Sequence, residues 1–234
     1  MPTHEVHIWF RATEALDAAA IAAAASVLSD DERAQFDRFH VARDARDYAA
    51  AHALLRHTLS LGGHQAPAAW RFEKTPAGKP RLIGDSADGR TFSLSHTRGM
   101  VACAVASGAK IGVDVECVDR EVDAGGIAAR FFAPAENAQL AALESAARRD
   151  RFFDLWTLKE ALVKGLGRGL AVSLRTLAFT VGPGGIRLDA PDVEADAWQF
   201  ALFAPGPRHR LAVAVERPAS GACQLIFRSG AHEA

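Results

Sequence analysis

Short β-like segments separated by turn-rich stretches occur in both halves of the chain, and this arrangement constrains the fold more than any other feature. The first half holds such segments at 70–74, 91–95 and 100–107. The second half closes with β-like runs at 176–181, 185–188, 198–203, 210–216 and 224–228. Short strands joined by tight turns pair in antiparallel sheets. Helical segments precede both sets, so the sequence predicts an α+β fold with two similar lobes, residues 1–109 and 110–234.

The helices are marked by the spacing of apolar residues and by their caps. From Asp44 to Leu61 apolar residues recur near helical spacing, and Gly62-Gly63 is a natural C-terminal stop. The run from Ser29 to Glu32 is a capping box, which predicts a helix through Phe39. Further helices are predicted at 16–27, 122–131, 134–145 and 148–166, and further strands at 6–10 and 111–117.

Composition and charge exclude several classes of protein. The 234 residues are 49% hydrophobic and 24% charged, with a formal net charge of -1, which is typical of a globular protein without a basic surplus for nucleic acid. No stretch approaches the roughly 18 apolar residues that span a membrane, and no signal peptide is evident, so a cytoplasmic location is expected. The cysteines, Cys103, Cys117 and Cys223, lie far apart and are interpreted as buried hydrophobic residues.

Two carboxylates stand on one face of a predicted strand. In Ile111-Gly112-Val113-Asp114-Val115-Glu116 the apolar residues alternate with Asp114 and Glu116, and period two places both acids on the same side. Asp-x-Glu alone has little weight, because it also occurs at 30/32, 119/121 and 192/194. A solvated strand face is the plain alternative for an isolated pair of this kind.

A later helical run can bring a third carboxylate. Trp156, Glu160 and Lys164 are four residues apart and share one helix face, which is also the pattern of an ordinary Glu–Lys pair. If Glu160 meets Asp114 and Glu116, the three form an all-oxygen site of the kind that binds Mg²⁺ together with a substrate phosphate.

Together these motifs resemble the paired signature of the 4'-phosphopantetheinyl transferases. The signature comprises Gly112 to Glu116, followed by the run Trp156-x-x-Lys159-Glu160-Ala161-x-x-Lys164-x-x-Gly167-x-Gly169-Leu170. Ser95-His96-Thr97 and Gly78-Lys79-Pro80 are similar to further family segments, and the resemblance to the two-lobed Sfp type spans about residues 38–170. It implies a pseudo-duplicated fold, with the active site in the cleft between the lobes.

The resemblance also implies the reaction, in which the 4'-phosphopantetheine arm of coenzyme A moves to a serine of an apo acyl or peptidyl carrier protein and 3',5'-ADP is released. By this resemblance Asp114, Glu116 and Glu160 bind Mg²⁺, and Glu160 and Lys164 are catalytic. The N-terminal lobe would hold the 3'-phosphate and adenine end of coenzyme A. The coenzyme A ligands implied are Arg43, Arg46, Lys79, Pro80, Ser95, His96, Lys159 and Lys164. A monomer is expected, because one chain would supply both sides of the cleft.

The chain departs from the family pattern in its first half. Ser93 replaces a frequent asparagine, Thr97 a serine and Asp47 an arginine, while Glu32 and Gln35 stand where some relatives carry lysines. His96 competes with Glu160 as the general base.

Two other functions use the same residues, a Mg²⁺-dependent nucleotide pyrophosphatase and a binding module without catalysis. For carrier docking, the sequence predicts the run Phe131 to Glu136, flanked by Arg130, Arg148, Arg149 and Arg151; packing of both phenylalanines in the core is the alternative.

Overall fold

Two β-sheets form the centre of the structure, a computed structural model that describes residues 4–61, 65–84, 89–219 and 221–230. The first sheet has the strand order β11-β1-β5-β4, and the second has the order β6-β10-β9. Two hairpins, β2-β3 and β7-β8, lie beside them. The strands are β1 (Glu5–Ala12), β2 (Arg71–Lys74), β3 (Pro80–Ile83), β4 (Arg90–Thr97), β5 (Met100–Ser107), β6 (Ile111–Cys117), β7 (Ala178–Gly182), β8 (Gly185–Asp189), β9 (Trp198–Gly206), β10 (His209–Glu216) and β11 (Gln224–Ser229).

The helices follow the predicted order, which confirms the α+β class. They are α1 (Ala18–Ser26), α2 (Asp30–Phe36), α3 (Ala42–Ser60), α4 (Ala124–Phe131), α5 (Pro134–Ala141) and α6 (Ser145–Leu166). The Ser29 capping box is present, but α2 ends at Phe36 instead of Phe39, because the chain continues in tight turns such as Arg38 N–H to Gln35 C=O. The predicted stop at Gly62-Gly63 lies outside the described residues, and β3 was not predicted.

The last strand returns to the first half of the chain. β11 pairs in parallel with β1, from Glu5 opposite Gln224 to Phe10 opposite Ser229, whereas the other strand pairs are antiparallel within the described residues. The predicted division at residues 109 and 110 separates β5 from β6, but residues 224–229 belong to the first sheet. Backbone hydrogen bonds with β1 therefore place β11 in the first sheet, although its neighbours in the chain belong to the second.

Apolar residues pack in successive layers through the two sheets. Leu55 and Leu59 of α3 pack on the outer face of the first sheet. Ile8 and Val113 lie in the core between the two sheets. Leu158 of α6 packs on the opposite face of the second sheet. Because side chains alternate along β6, its valines face the intersheet core while Asp114 and Glu116 face the side of α6.

The expected burial of the cysteines is confirmed, since Cys103, Cys117 and Cys223 are all buried and unpaired with one another. In the part of the chain that the structure describes, no helix combines the length and apolar character that a membrane crossing requires.

Candidate functional site

Asp114, Ser95 and Lys164 meet where β4, β6 and α6 come together. Lys164 Nζ lies 2.7 Å from Asp114 Oδ1 and 2.9 Å from Ser95 Oγ, and the Ser95 hydroxyl donates to the same Asp114 oxygen at 2.8 Å. Asp114 and Ser95 are buried, and Lys164 is partly exposed. Three elements therefore converge on one carboxylate oxygen, and a fixed positive charge stands beside it.

Glu116 lies one pleat further along β6 and has different partners. Its Oε1 accepts hydrogen bonds from the indole Nε1 of Trp156 and from Arg120, both at 3.0 Å. Burial and the neighbouring Asp114 carboxylate raise the pKa of Glu116 to about 7. The indole and the guanidinium therefore orient a carboxylate whose charge is disfavoured by its surroundings.

Glu160 comes from α6, at the closest approach of this helix to β6. A Cβ added at Gly112 would lie 1.8 Å from the Ala161 carbonyl oxygen and 2.5 Å from the Gly165 nitrogen, so only glycine allows this contact. Burial and the charge of Asp114 raise the pKa of Glu160. The helix thus delivers a half-buried carboxylate close enough to Asp114 for their charges to interact.

Whether these acids fit a divalent cation can be tested on their own hydrogen bonding. Asp114 Oδ2 is buried and has no hydrogen-bond partner among the described residues. An orphaned carboxylate oxygen in a cluster of acids suits a hard cation such as Mg²⁺. Among all the described residues, including this cluster, no three aspartate, glutamate, histidine or cysteine side chains lie close enough together to form a complete set of metal ligands. Asp114 is drawn to Lys164 and Glu116 to Arg120, so their oxygens face separate cations.

A cleft of about 380 Å³ opens beside this cluster. Lys79, Pro80, Ser93, Glu160 and Lys164 are among its lining residues. Lys79 Nζ donates to the Ile111 carbonyl at 2.9 Å, and burial lowers the pKa of Lys79 to about 8. The turn that carries Lys79 and Pro80 and the helix that carries Glu160 and Lys164 therefore form facing walls of one cleft.

The predicted basic residues of α3 are partly occupied by neighbouring acids. Arg46 pairs with Asp47 at 3.2 Å, and the exposed Arg43 pairs with Asp44 at 3.2 Å. His96 lies on β4 with an exposed side chain. Desolvation of the imidazole by neighbouring protein atoms, together with the charges of His52 and Lys164, lowers the pKa of His96. A lowered pKa favours the neutral ring.

Asp47, which stands where relatives often carry arginine, has a structural role. It accepts hydrogen bonds from the Thr13 hydroxyl and from the Gly99 amide, the latter at 3.2 Å. Gly99 lies in the turn after β4 with φ of +82°, a conformation that favours glycine. Asp47 therefore ties α3 to the turn that follows His96.

Glu32 likewise belongs to a buried network. Arg56, which is fully buried, approaches Glu32 Oε2 at 2.7 Å, and His52 Nδ1 lies 2.8 Å from Oε1. Burial alone would raise the pKa of Glu32, but His52, the Ser29 amide and Arg56 hold that pKa at about 2. This network borders a second cleft of about 550 Å³, which shares Pro80 with the first and is also lined by Lys74, a residue that the sequence analysis did not single out.

The structure places Lys159 in the core and not among the lining residues of the cleft, so its position does not favour the prediction that it is a coenzyme A ligand. Its side chain is 0% exposed and its Nζ lies 2.7 Å from Glu136 Oε2, whose side chain is also 0% exposed. The ammonium also donates to the carbonyls of Leu174 and Leu177. One residue away on a helix is a rotation of about 100°, which turns Lys159 into the core when Glu160 faces the cleft.

We expect Lys159→Met to destabilise the protein by about 3 to 5 kcal/mol, because it leaves the Glu136 carboxylate buried without its counter-ion. Urea unfolding should show this loss. Adding Glu136→Gln should recover part of it, since the amide removes the unpaired charge. A full-stability Lys159→Met variant with weakened coenzyme A binding would instead restore Lys159 to the ligands.

The sequence analysis missed one residue of the site, Arg120, and gave no role to two others, Ser93 and Thr97. Arg120 had no signal, because nothing in its surroundings in the chain relates it to Glu116. Ser93 and Thr97, noted only as departures, each accept a backbone N–H from β6, at 3.0 Å from Val113 and 3.2 Å from Cys117. The sequence shows that hydroxyl residues alternate along β4, but it does not show that they bind the backbone of β6.

Comparisons with known proteins show the family of this chain. Residues 110–214 match the sequence profile of the 4'-phosphopantetheinyl transferase superfamily, and residues 17–108 match that of the 4'-phosphopantetheinyl transferase N-terminal region. The chain is 33% identical over 215 residues to the 4'-phosphopantetheinyl transferase HetI of Nostoc sp., covering 90% of this chain and 87% of that protein. It is 28% identical over 194 residues to the 4'-phosphopantetheinyl transferase Sfp of Bacillus subtilis, covering 82% and 84%.

Among solved structures, the holo-(acyl-carrier-protein) synthase of Bacillus anthracis in complex with CoA (3',5'-ADP) aligns with a TM-score of 0.39 at 19% identity, over 46% of this chain and 94% of that chain. The holo-[acyl-carrier-protein] synthase of Thermotoga maritima aligns with a TM-score of 0.39 at 24% identity, over 46% and 62%. Because both halves match family profiles and the identity to HetI extends over most of both proteins, this chain belongs to the 4'-phosphopantetheinyl transferases of the Sfp type.

Proposed function

We propose that this enzyme transfers the 4'-phosphopantetheine arm of coenzyme A to a serine of an apo acyl or peptidyl carrier protein and releases 3',5'-ADP, with Mg²⁺ as its cofactor. The observation that carries the proposal is the contact of Asp114 with Lys164, which lines the cleft together with Glu160, while Asp114 Oδ2 lacks a hydrogen-bond partner among the described residues. Asp114, Glu116 and Glu160 would hold the ion, which when bound neutralises negative charge on the pyrophosphate.

The serine oxygen attacks the β-phosphorus of coenzyme A, and the bond from that phosphorus to the bridging oxygen breaks. No covalent intermediate with the protein is needed. Lys164 supplies positive charge beside the leaving phosphate, and its hydrogen bonds to Ser95 Oγ at 2.9 Å and Asp114 Oδ1 at 2.7 Å fix the position of the ammonium. When phosphate oxygens approach, they offer Lys164 an alternative to its 2.7 Å pair with Asp114.

The proton of the serine hydroxyl goes to Glu160. Glu160 lines the cleft, where an incoming serine hydroxyl would reach its carboxylate. His96 remains the competing base, with a lowered pKa that favours its neutral form.

Coenzyme A binds, in this proposal, along the joined clefts that share Pro80. Lys164 faces the pyrophosphate, and Ser95, His96 and Lys79 hold the 3'-phosphate and adenosine end, where Arg43 or Arg46 assists. Arg43 is the more available of the two arginines, because its side chain is 56% exposed while that of Arg46 is 18% exposed. Lys74 of the second cleft adds a cation at that end.

The site uses residues from both halves of one chain, so we propose two similar lobes with the active site between them and a functional monomer. Ser95 comes from β4 of the first sheet, and Asp114 comes from β6 of the second. No second copy is needed to complete this set.

The surface proposed for carrier docking is reduced by the packing of its phenylalanines. Phe132 is fully buried against Phe152, whereas Phe131 is half-buried under the exposed Arg130, whose guanidinium lies 5.1 Å from its ring centroid. Arg148, Arg149 and Arg151 all donate to backbone carbonyls. Arg130 and Phe131 therefore remain as the contact for an acidic partner.

The test is intact-mass spectrometry of apo carrier proteins incubated with the enzyme, coenzyme A and Mg²⁺. A gain of about 340 Da, the mass of the arm that coenzyme A carries, is expected on the carrier. The gain should disappear with EDTA and on a carrier whose serine is replaced by alanine.

Two results would contradict the proposal in different ways. Release of 3',5'-ADP from coenzyme A without any carrier would identify a pyrophosphatase that uses water as the nucleophile. Coenzyme A binding without release or transfer, across acyl and peptidyl carriers, would identify a binding module.

A further inference from the structure

The two sheets meet edge to edge between β4 and β6 without backbone pairing. β4 pairs with β5, and β6 pairs with β10, so each presents its other edge to the neighbouring sheet. An edge strand has a row of backbone N–H groups that need partners. On β6 this row lies beside Asp114 and Glu116.

Side-chain hydroxyls of β4 satisfy that row. Val113 N–H donates to Ser93 Oγ at 3.0 Å, Val115 N–H to Ser95 Oγ at 3.3 Å, and the Cys117 N–H to the Thr97 hydroxyl. Residues two apart on a strand point to the same side, so the three hydroxyls repeat with the pleat. We call Ser93, Ser95 and Thr97 the hydroxyl ladder.

The hydroxyl ladder brackets both acids. Asp114 lies between the amides bound by Ser93 and Ser95, and Glu116 lies between those bound by Ser95 and Thr97. Ser95 also donates to Asp114 Oδ1 at 2.8 Å and contacts Lys164. A shift of β6 along β4 would therefore break all three bonds and move both carboxylates relative to Ser95.

The hydroxyl groups of β4 make the register between β4 and β6 specific. Ser93 and Ser95 are buried, so removal of a hydroxyl leaves a buried N–H without a partner. Apolar side chains at these positions would fill space without fixing the register, because only a hydrogen bond defines which amide faces which residue.

We propose that the hydroxyl ladder sets the register between the sheets and thereby holds Asp114 and Glu116 in the geometry needed for metal binding and transfer. Ser93 and Thr97 act through the two acids and are positioning residues. This inference rests on the proposed function, since its catalytic consequence is the transfer reaction.

The test compares Ser93→Ala and Thr97→Val with the conservative Thr97→Ser. Loss of either hydroxyl should lower kcat and Mg²⁺ affinity by about tenfold or more, the effect typical of groups that orient metal ligands. In Thr97→Val, whose residue does not line the cleft, KM for coenzyme A should stay within about twofold, because Thr97 acts on the acids. Hydrogen exchange should accelerate at the Val113 amide in Ser93→Ala and at the Cys117 amide in Thr97→Val. Thr97→Ser should restore kcat and slow exchange.

Thr91→Val is the matched control. Thr91 precedes the hydroxyl ladder on the same strand, but its hydroxyl donates to the carbonyls of Ala106 and Ala109, away from the acids. Its kcat and Mg²⁺ affinity should equal those of the wild type.

Normal kcat and Mg²⁺ affinity in a folded Ser93→Ala or Thr97→Val variant would overturn the inference, as would a raised KM with unchanged kcat in Thr97→Val. Thr97 is only partly buried, so its variant keeps the test open if Ser93→Ala does not fold. Calorimetry separates this inference from the proposed function. If the wild-type protein shows no transfer activity but Mg²⁺ binding weakens in the variants, the inference about the hydroxyl ladder is supported and the proposed function is contradicted. If the wild-type protein binds no Mg²⁺, the proposed role of the hydroxyl ladder is overturned.

Discussion

Asp114→Asn should lower the transfer rate by about a thousandfold, because a bound cation contributes several kcal/mol to transition-state stabilisation and about 1.4 kcal/mol corresponds to a factor of ten. The amide oxygen can still accept from Ser95 and Lys164, which bind Asp114 Oδ1 at 2.8 and 2.7 Å. The fold should therefore persist. Carrier modification followed by mass spectrometry, with circular dichroism on the same sample, measures both effects.

Asp119→Asn is the matched control for this substitution. Asp119 lies two residues beyond β6, is largely exposed and pairs with Arg208 at 3.3 Å. The same chemical change there removes only a surface ion pair, so transfer should be unchanged. Equal turnover in Asp114→Asn and Asp119→Asn would remove Asp114 from the metal site.

Gly112→Ala should destabilise the protein by about 4 kcal/mol or more, because the added methyl group overlaps backbone atoms that cannot rotate away. The Cβ would lie 1.8 Å from the Ala161 carbonyl oxygen. Separation of α6 from β6 would also withdraw Glu160 from Asp114, so residual folded protein should transfer poorly. A urea titration with a lower midpoint is the expected result.

Gly184→Ala provides the comparison. A Cβ at Gly184 meets nothing within 4 Å, and this exposed residue lies in the turn between β7 and β8. Its unfolding midpoint should match that of the wild type. An unchanged midpoint in Gly112→Ala would mean that α6 can move away from β6 without loss of stability.

Most elements of the fold could be predicted from local patterns. Alternation along 111–117, the Ser29 capping box and the helical spacing of 44–61 each depend on residues that are neighbours in the chain, and β6, α2 and α3 are present as expected. The parallel pairing of β11 with β1 could not be predicted this way. It joins Glu5 to Gln224 across the length of the chain, and no local signal specifies a partner at that distance.

The candidate site divides along the same line. Asp114, Glu160 and Lys164 could be proposed from spacing and family resemblance, because their chemistry follows from residue type and helix or strand period. The burial of Lys159 with Glu136 could not, since one helix position decides between cleft and core. A lysine has the same sequence signature whether it binds a phosphate or neutralises a buried acid.

Short-range periodicity and side-chain chemistry were sufficient to predict the α+β elements and the family and to propose the acidic residues. Which of these groups contact one another depends on the tertiary structure. It placed β4 beside β6, so that Ser93 and Thr97 bind the β6 amides, and it turned Asp47 and Glu32 into structural anchors. Such contacts depend on how whole sheets and helices pack, and that packing is a property of many residues that are distant in the chain.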